Sequence, residues 1–164
     1  MRTTRVSYSV GIAAVVMTMV VAIGSQSGFA QADPFIGTWV LNVAKSKFQP
    51  GPAPKDQTSI YEASGQGVKV TTTASTAAGK PTTTAFTASY GGKDYPVTGS
   101  PDYDTVSLKR VNPNTVELTR KKAGKVVQTG TNVVSADGKT RTVTTAGVSA
   151  QGQTFNNVSV YDKK

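Results

Sequence analysis

From residue 36 onward, apolar and polar residues alternate with a period of two. Val68, Val70, Thr72 and Ala74 fall on one side of their stretch, opposite Lys69, Thr71 and Thr73. Gly37, Trp39, Leu41 and Val43 share a face, as do Thr84, Phe86, Ala88 and Tyr90. Val106, Leu108 and Arg110 form another face, and Val116, Leu118 and Arg120 one more, opposite Glu117, Thr119 and Lys121. Successive side chains of a strand point to opposite sides, so this period predicts strands with one face buried. The pattern places nine of them, at 36–43, 57–63, 67–76, 82–90, 103–111, 115–122, 125–135, 139–148 and 153–161. The breaks between them carry turn chemistry: Gly65-Gln66-Gly67, Gly79-Lys80, Gly92-Lys93, Asn112-Pro113-Asn114, Gly124-Lys125 and Asp137-Gly138. Asp137-Gly138 is a strong hairpin signal, because both central positions of a tight type I′ turn need positive φ.

Two stretches escape the pattern. Residues 44–56 begin with a possible helical turn and end in a Pro-rich extended loop that would cross one end of the fold. Residues 94–104 are irregular and hold Pro96 and Pro101. A meander of short hairpins leaves two open edges unless it closes on itself. The expected fold is therefore all-β, an antiparallel up-and-down barrel of about 8–9 strands.

Composition supports this. Thr fills 21 and Val 16 of the 132 positions from 33 to 164, while Leu occurs there only at 41, 108 and 118. β-branched side chains pack well on a pleated surface, and a helix needs large apolar residues at three- and four-residue spacing.

The first 32 residues read differently. Arg2 and Arg5 open them, Val10–Ile23 is an apolar run of 14 residues, and Ala30-Gln31-Ala32 ends them. A charged start, a short apolar core and an A-x-A site form a secretion signal, and the run falls short of a membrane span. The expected organisation is a signal peptide at 1–32 and a single barrel domain at 33–164, without a membrane span after cleavage. The expected location is the periplasm or the cell exterior. With no cysteine, the domain must be held by its core rather than by disulfides. It carries 16 basic and nine acidic residues, a net charge of +7. The lysines are spread along the chain, which argues against nucleic acid as a partner.

The chain has no histidine, which with the missing cysteines removes Ser-His-Asp triads, Cys-His pairs and ordinary zinc sites. Gly138-Lys139-Thr140 is not a phosphate loop, since that motif needs Gly where Val133 stands. Asp102 and Asp104 are the only closely spaced acids, too few for calcium and better suited to capping backbone amides. No enzyme activity, metal or cofactor is expected. The candidates for ligand binding are Arg110 and Arg120, with Tyr90, Phe86 and Tyr161. Each arginine continues the apolar face of its strand, so the two guanidiniums are expected near one barrel mouth, where they would grip an acidic group. The competing reading lets them snorkel to water at strand ends. The aromatics, with Tyr61, Tyr103 and Trp39, either line a pocket or fill the barrel.

Gly37-Thr38-Trp39 on the first strand, ahead of an antiparallel meander, resembles the lipocalins and the wider calycin group. That resemblance implies that Trp39 closes one barrel end with Gly37 beside it, packed against a basic side chain from near the last strand; Arg141 and Lys163 are the candidates. Asn42-Val43-Ala44-Lys45-Ser46-Lys47-Phe48, Asp94-Tyr95-Pro96-Val97-Thr98-Gly99 and Asp137-Gly138-Lys139 are similar to a group of uncharacterised secreted bacterial lipocalin-like proteins. This second resemblance implies the fold and the export and carries no established activity. The resulting expectation is a secreted, non-enzymatic module for a small, partly apolar ligand, amphipathic or acidic. Its alternative is a filled barrel whose basic surface contacts envelope polymers or a protein partner. An internal volume of several hundred Å³ separates the two.

Overall fold

A computed structural model describes residues 33–164; the expected signal segment, 1–32, lies outside the described residues. Eleven strands follow one another: β1 (Gly37–Leu41), β2 (Lys47–Gln49), β3 (Asp56–Ser64), β4 (Gly67–Ser75), β5 (Pro81–Ser89), β6 (Gly91–Thr98), β7 (Thr105–Asn112), β8 (Thr115–Lys122), β9 (Lys125–Val134), β10 (Thr140–Val148) and β11 (Thr154–Lys163). All pairings are antiparallel, each of β3 to β11 lies beside the next, and β1 pairs with both β3 and β11. Ten strands thus form a closed ring. A 3-10 turn at Val43–Lys45 then carries the chain to β2, which continues along the edge of β11 at Asn156–Val158, outside the ring. No helix among the described residues is long and apolar enough to cross a membrane.

The expected count of 8–9 strands is corrected to ten plus one. The missed barrel strand is β6, where Gly91, Gly92 and Pro96 mask any alternation. It pairs with β5 at only two positions, and a bulge between Gly91 and Asp94 interrupts its register with β7. Gly92-Lys93 therefore lies in that bulge, not in a turn. Asp137-Gly138 lies in the connection between β9 and β10, as expected, but the tightest positive-φ pair is at the β8–β9 turn. Ala123 (φ 48°) and Gly124 (φ 78°) both take positive φ between β8 and β9, whereas at Asp137-Gly138 only the glycine does. There the Asp137 carboxylate accepts hydrogen bonds from the Ser135 hydroxyl and, at 3.0 Å, the Lys139 amide. This spreads the connection over a longer loop.

The barrel has a closed end and an open end. At the closed end Trp39 is fully buried, and its indole N–H donates to the Phe35 carbonyl at 2.8 Å. The Lys163 ammonium lies 5.0 Å and the Arg141 guanidinium 5.5 Å from the Trp39 ring centre. Both basic candidates thus pack on the tryptophan. Gly37 has φ 130°, and a side chain there would run into Lys163, which explains a glycine two residues before Trp39. Phe35, Tyr90 and Arg110 complete this end, with the Arg110 guanidinium 3.8 Å from the Tyr90 ring centre. The open end is framed by residues 48–52, by Asp102 and Tyr103, and by the β10–β11 turn around Ser149–Gln153.

Candidate ligand-binding site

Inside the barrel lies a cavity of about 430 Å³, within the usual range for small-molecule sites. Its walls differ in character. Val106 and Leu108 on β7, with Val116 and Leu118 on β8, form a buried apolar wall. Among the described residues, Ser59 on β3, Gln128 and Asn132 on β9, and Arg141 and Thr145 on β10 are the buried polar ones, and every one of them lines the cavity. Around a ring of ten strands, β7 and β8 lie across from β1 and β3. Ser59 thus faces the apolar wall across the hollow, while Gln128, Asn132, Arg141 and Thr145 lie beside that wall on the two strands that follow β8.

Arg141 is the least expected of these residues. It is 2% exposed. Its guanidinium carbon lies 4.2 Å from the Tyr161 ring centre and 4.6 Å from that of Tyr61. No carboxylate among the described residues pairs with it, and its buried Nε finds no acceptor in the protein. An isolated buried charge is costly unless it is paired and hydrogen-bonded. Rings stacked on the faces of a guanidinium leave its N–H groups free at the edge, the geometry that grips a carboxylate or phosphate. Other buried polar atoms without a partner in the protein are Arg120 Nε, Asn132 Oδ1 and the Tyr90 hydroxyl, and all belong to residues lining the same cavity.

Arg120 also lines the cavity, toward the open end. Its Nη1 donates to Gln128 Oε1 at 2.8 Å, and its guanidinium lies 4.6 Å from the Tyr103 ring centre. Tyr161 sits beneath Arg141 and accepts a hydrogen bond from Gln57 Nε2 at 2.9 Å. Burial pushes the Tyr161 hydroxyl above its ordinary pKa, with Arg141 pulling the other way. Phe86 lines the apolar side, and Tyr90 lies at the base near Phe35. Burial pushes the Tyr90 hydroxyl up as well, and the nearby Asp33 carboxylate adds to the effect.

Arg110 falls elsewhere. The expectation that it shares one mouth with Arg120 is corrected by the register. Arg110 pairs with Val116, next to the β7–β8 turn, whereas Arg120 pairs with Val106 at the far end of the same hairpin. In an antiparallel pair, two residues equally far along their own strands sit at opposite ends. Arg110 is moreover occupied: it donates to Asp33 Oδ2 at 2.6 Å and to the Pro113 carbonyl at 2.9 Å. It braces the closed end and does not line the cavity. Asp102 and Asp104 accept hydrogen bonds from the Ala150 and Ala123 amides respectively, each at 2.9 Å. The Asp102 contact ties the β6–β7 loop to the β10–β11 turn beside the mouth.

Sequence reasoning missed Arg141 as a cavity residue, together with Ser59, Gln128 and Asn132. The one available signal was parity, since Arg141, Val143 and Thr145 alternate along β10. That strand is so rich in Thr on both faces that the inner one does not stand out.

No protein-family model matches the chain, and no curated protein matches it. Among solved structures, the barrel is similar to the zebrafish ileal bile acid-binding protein in complex with cholic acid. The TM-score is 0.50 at 15% identity, over 80% of this chain and 99% of that one. The likeness establishes the fold, a closed antiparallel calycin-like barrel.

Proposed function

We propose that this protein is an exported, non-enzymatic carrier that holds a small amphipathic acid inside its barrel. The observation that carries the reading is Arg141, a buried guanidinium with no counter-charge, stacked on aromatic rings at the wall of a hollow about 430 Å³ in volume. A buried cation in that setting favours an anion brought by the ligand. The apolar wall of β7 and β8 supplies the area that a hydrocarbon body covers, and the polar wall of β3, β9 and β10 supplies donors and acceptors for hydroxyl or amide groups. The structural neighbour in complex with cholic acid is in keeping with a ligand of this kind. Export to the periplasm or beyond is the reading of the leader, with Asp33 as the first residue of the mature chain.

The test is calorimetric titration of the mature domain with cholate and with dodecanoate, beside Arg141→Met. Saturable binding by the wild type, lost in a variant that still melts cooperatively, is the expected result. Heat-silent titrations with both acids, or equal affinity in the two proteins, would sink the reading. Intact mass of the exported protein, expected to begin at Asp33, tests the export half.

A further inference from the structure

Of the arginines in residues 33–164, Arg110 has a carboxylate partner in Asp33, and Arg120 and Arg141 have none among the described residues. Those two line one cavity and stand at different depths. Arg120 pairs with Gln128, and Gln128 pairs with Gly147 on β10, so Arg120 lies level with a position six residues along β10 from Arg141. At a rise of about 3.4 Å per residue, the two backbones are about 20 Å apart along the strand direction. The long arginine side chains shorten this span.

Each guanidinium is held in the same manner, with its face on aromatic carbon and N–H groups left over. Arg120 stacks on Tyr103 and keeps a buried Nε without an acceptor. Arg141 stacks on Tyr61 and Tyr161 and also keeps a buried Nε without one. Between the two depths runs the apolar surface of Val116 and Leu118, which belong to the same strand as Arg120. The cavity therefore offers an anion position toward its base, an apolar midsection and an anion position toward its mouth.

We propose that the ligand class carries two acidic groups, one held at Arg141 and one at Arg120, joined by an apolar body lying along β7 and β8. This rests on the carrier reading above and narrows it from amphipathic acids in general to two-headed ones. A second carboxylate is a sharp probe of the idea. Within an apolar cavity an unpartnered charge opposes binding, so a diacid does better than a monoacid only where a second cation waits for it.

The experiment compares dodecanoic acid with dodecanedioic acid, and hexadecanoic acid with hexadecanedioic acid, on the wild type and on Arg120→Gln. The diacid of at least one pair is expected to bind the wild type about tenfold or more tightly than its monoacid, the worth of one charge-assisted hydrogen bond. Arg120→Gln should erase that advantage, weakening the diacid about tenfold or more beyond any change in the monoacid. Monoacid binding with no gain for either diacid overturns the two-headed proposal and leaves the carrier reading standing. Equal weakening of monoacid and diacid by Arg120→Gln also overturns it, because both arginines would then hold a single head. Failure of all four acids to bind overturns the two-headed proposal, and the carrier reading falls with it where cholate also fails to bind. The wild-type comparison needs no variant, so a poorly folded Arg120→Gln does not blunt the test.

Discussion

Replacing Arg141 with methionine should make the empty barrel more stable while removing its ligand. The guanidinium is 2% exposed and faces no carboxylate among the described residues. Exchanging buried charge for an apolar chain of similar volume is often neutral or stabilising by about 1–4 kcal/mol. Against that gain stand the contacts with Trp39, Tyr61 and Tyr161 at 4.2 to 5.5 Å. Cation–ring contacts are worth about 0.5–2 kcal/mol each, but a methionine thioether in the same cage recovers about 0.3–1.5 kcal/mol per ring. Lys163 still covers the outer face of Trp39. The net expectation is a gain of about 1–2 kcal/mol, a rise in Tm of about 3–8 °C for a domain of this size. Differential scanning calorimetry of ligand-free wild type and Arg141→Met reads this directly. Binding at Arg141 predicts opposite signs, with Tm up and affinity down. A Tm lowered by several degrees would instead make Arg141 a brace for Trp39, and its role as an anion site would fall.

The remaining predictions follow from the closed end and the buried hydroxyls. Trp39→Ala should cost about 3–5 kcal/mol, the range for an aromatic side chain removed from a packed core, and wild-type emission should be blue-shifted; a water-like emission maximum contradicts the burial. Asp33→Asn should lower stability by about 1–2 kcal/mol through loss of the charge-assisted contact to Arg110, read as a lower urea midpoint at unchanged slope; no change would mean the 2.6 Å pair is idle. Tyr90 and Tyr161 have hydroxyls pushed up by burial, so their contribution is complete below the unfolded value near pH 10 and is lost as pH rises through the folded values. Stability should hold to about pH 9 and fall beyond about pH 10, with at least two tyrosines ionising only as the fold opens; ordinary ionisation of every tyrosine in a folded barrel would refute this.

The architecture was legible because hairpins announce themselves locally. Val68 to Ala74, Thr84 to Ala88 and Val116 to Arg120 keep a clean two-residue period, and each lies in a strand with that face turned inward. β6 was not legible, since Gly91, Gly92 and Pro96 write a loop into the sequence and only the neighbouring strands hold it extended. The site was less legible than the fold, for a geometric reason. Residues 110 and 120 look equivalent along the chain, each two positions past a leucine, yet antiparallel pairing sends them to opposite ends of the barrel. Arg141 could be suspected only as a partner of Trp39. That it also faces a cavity depends on the curvature of ten strands, and no single strand carries that information.

The seam between β1 and β11 closes the ring over the longest stretch of chain. Every other pairing in the ring joins strands adjacent in the ring's chain order, so each can form as soon as its two halves exist. The seam joins Trp39 to Lys163 and Leu41 to Tyr161, and the Asn42 side chain donates to Asp162 at 2.7 Å, across 120 positions of chain. Contacts so distant in sequence carry the largest loop-closure cost and slow the folding of β proteins. Without them the ten strands would make an open sheet, which encloses no hollow. The hollow exists only with the seam in place, so a molecule that fits it would act on the folding equilibrium by favouring the closed ring.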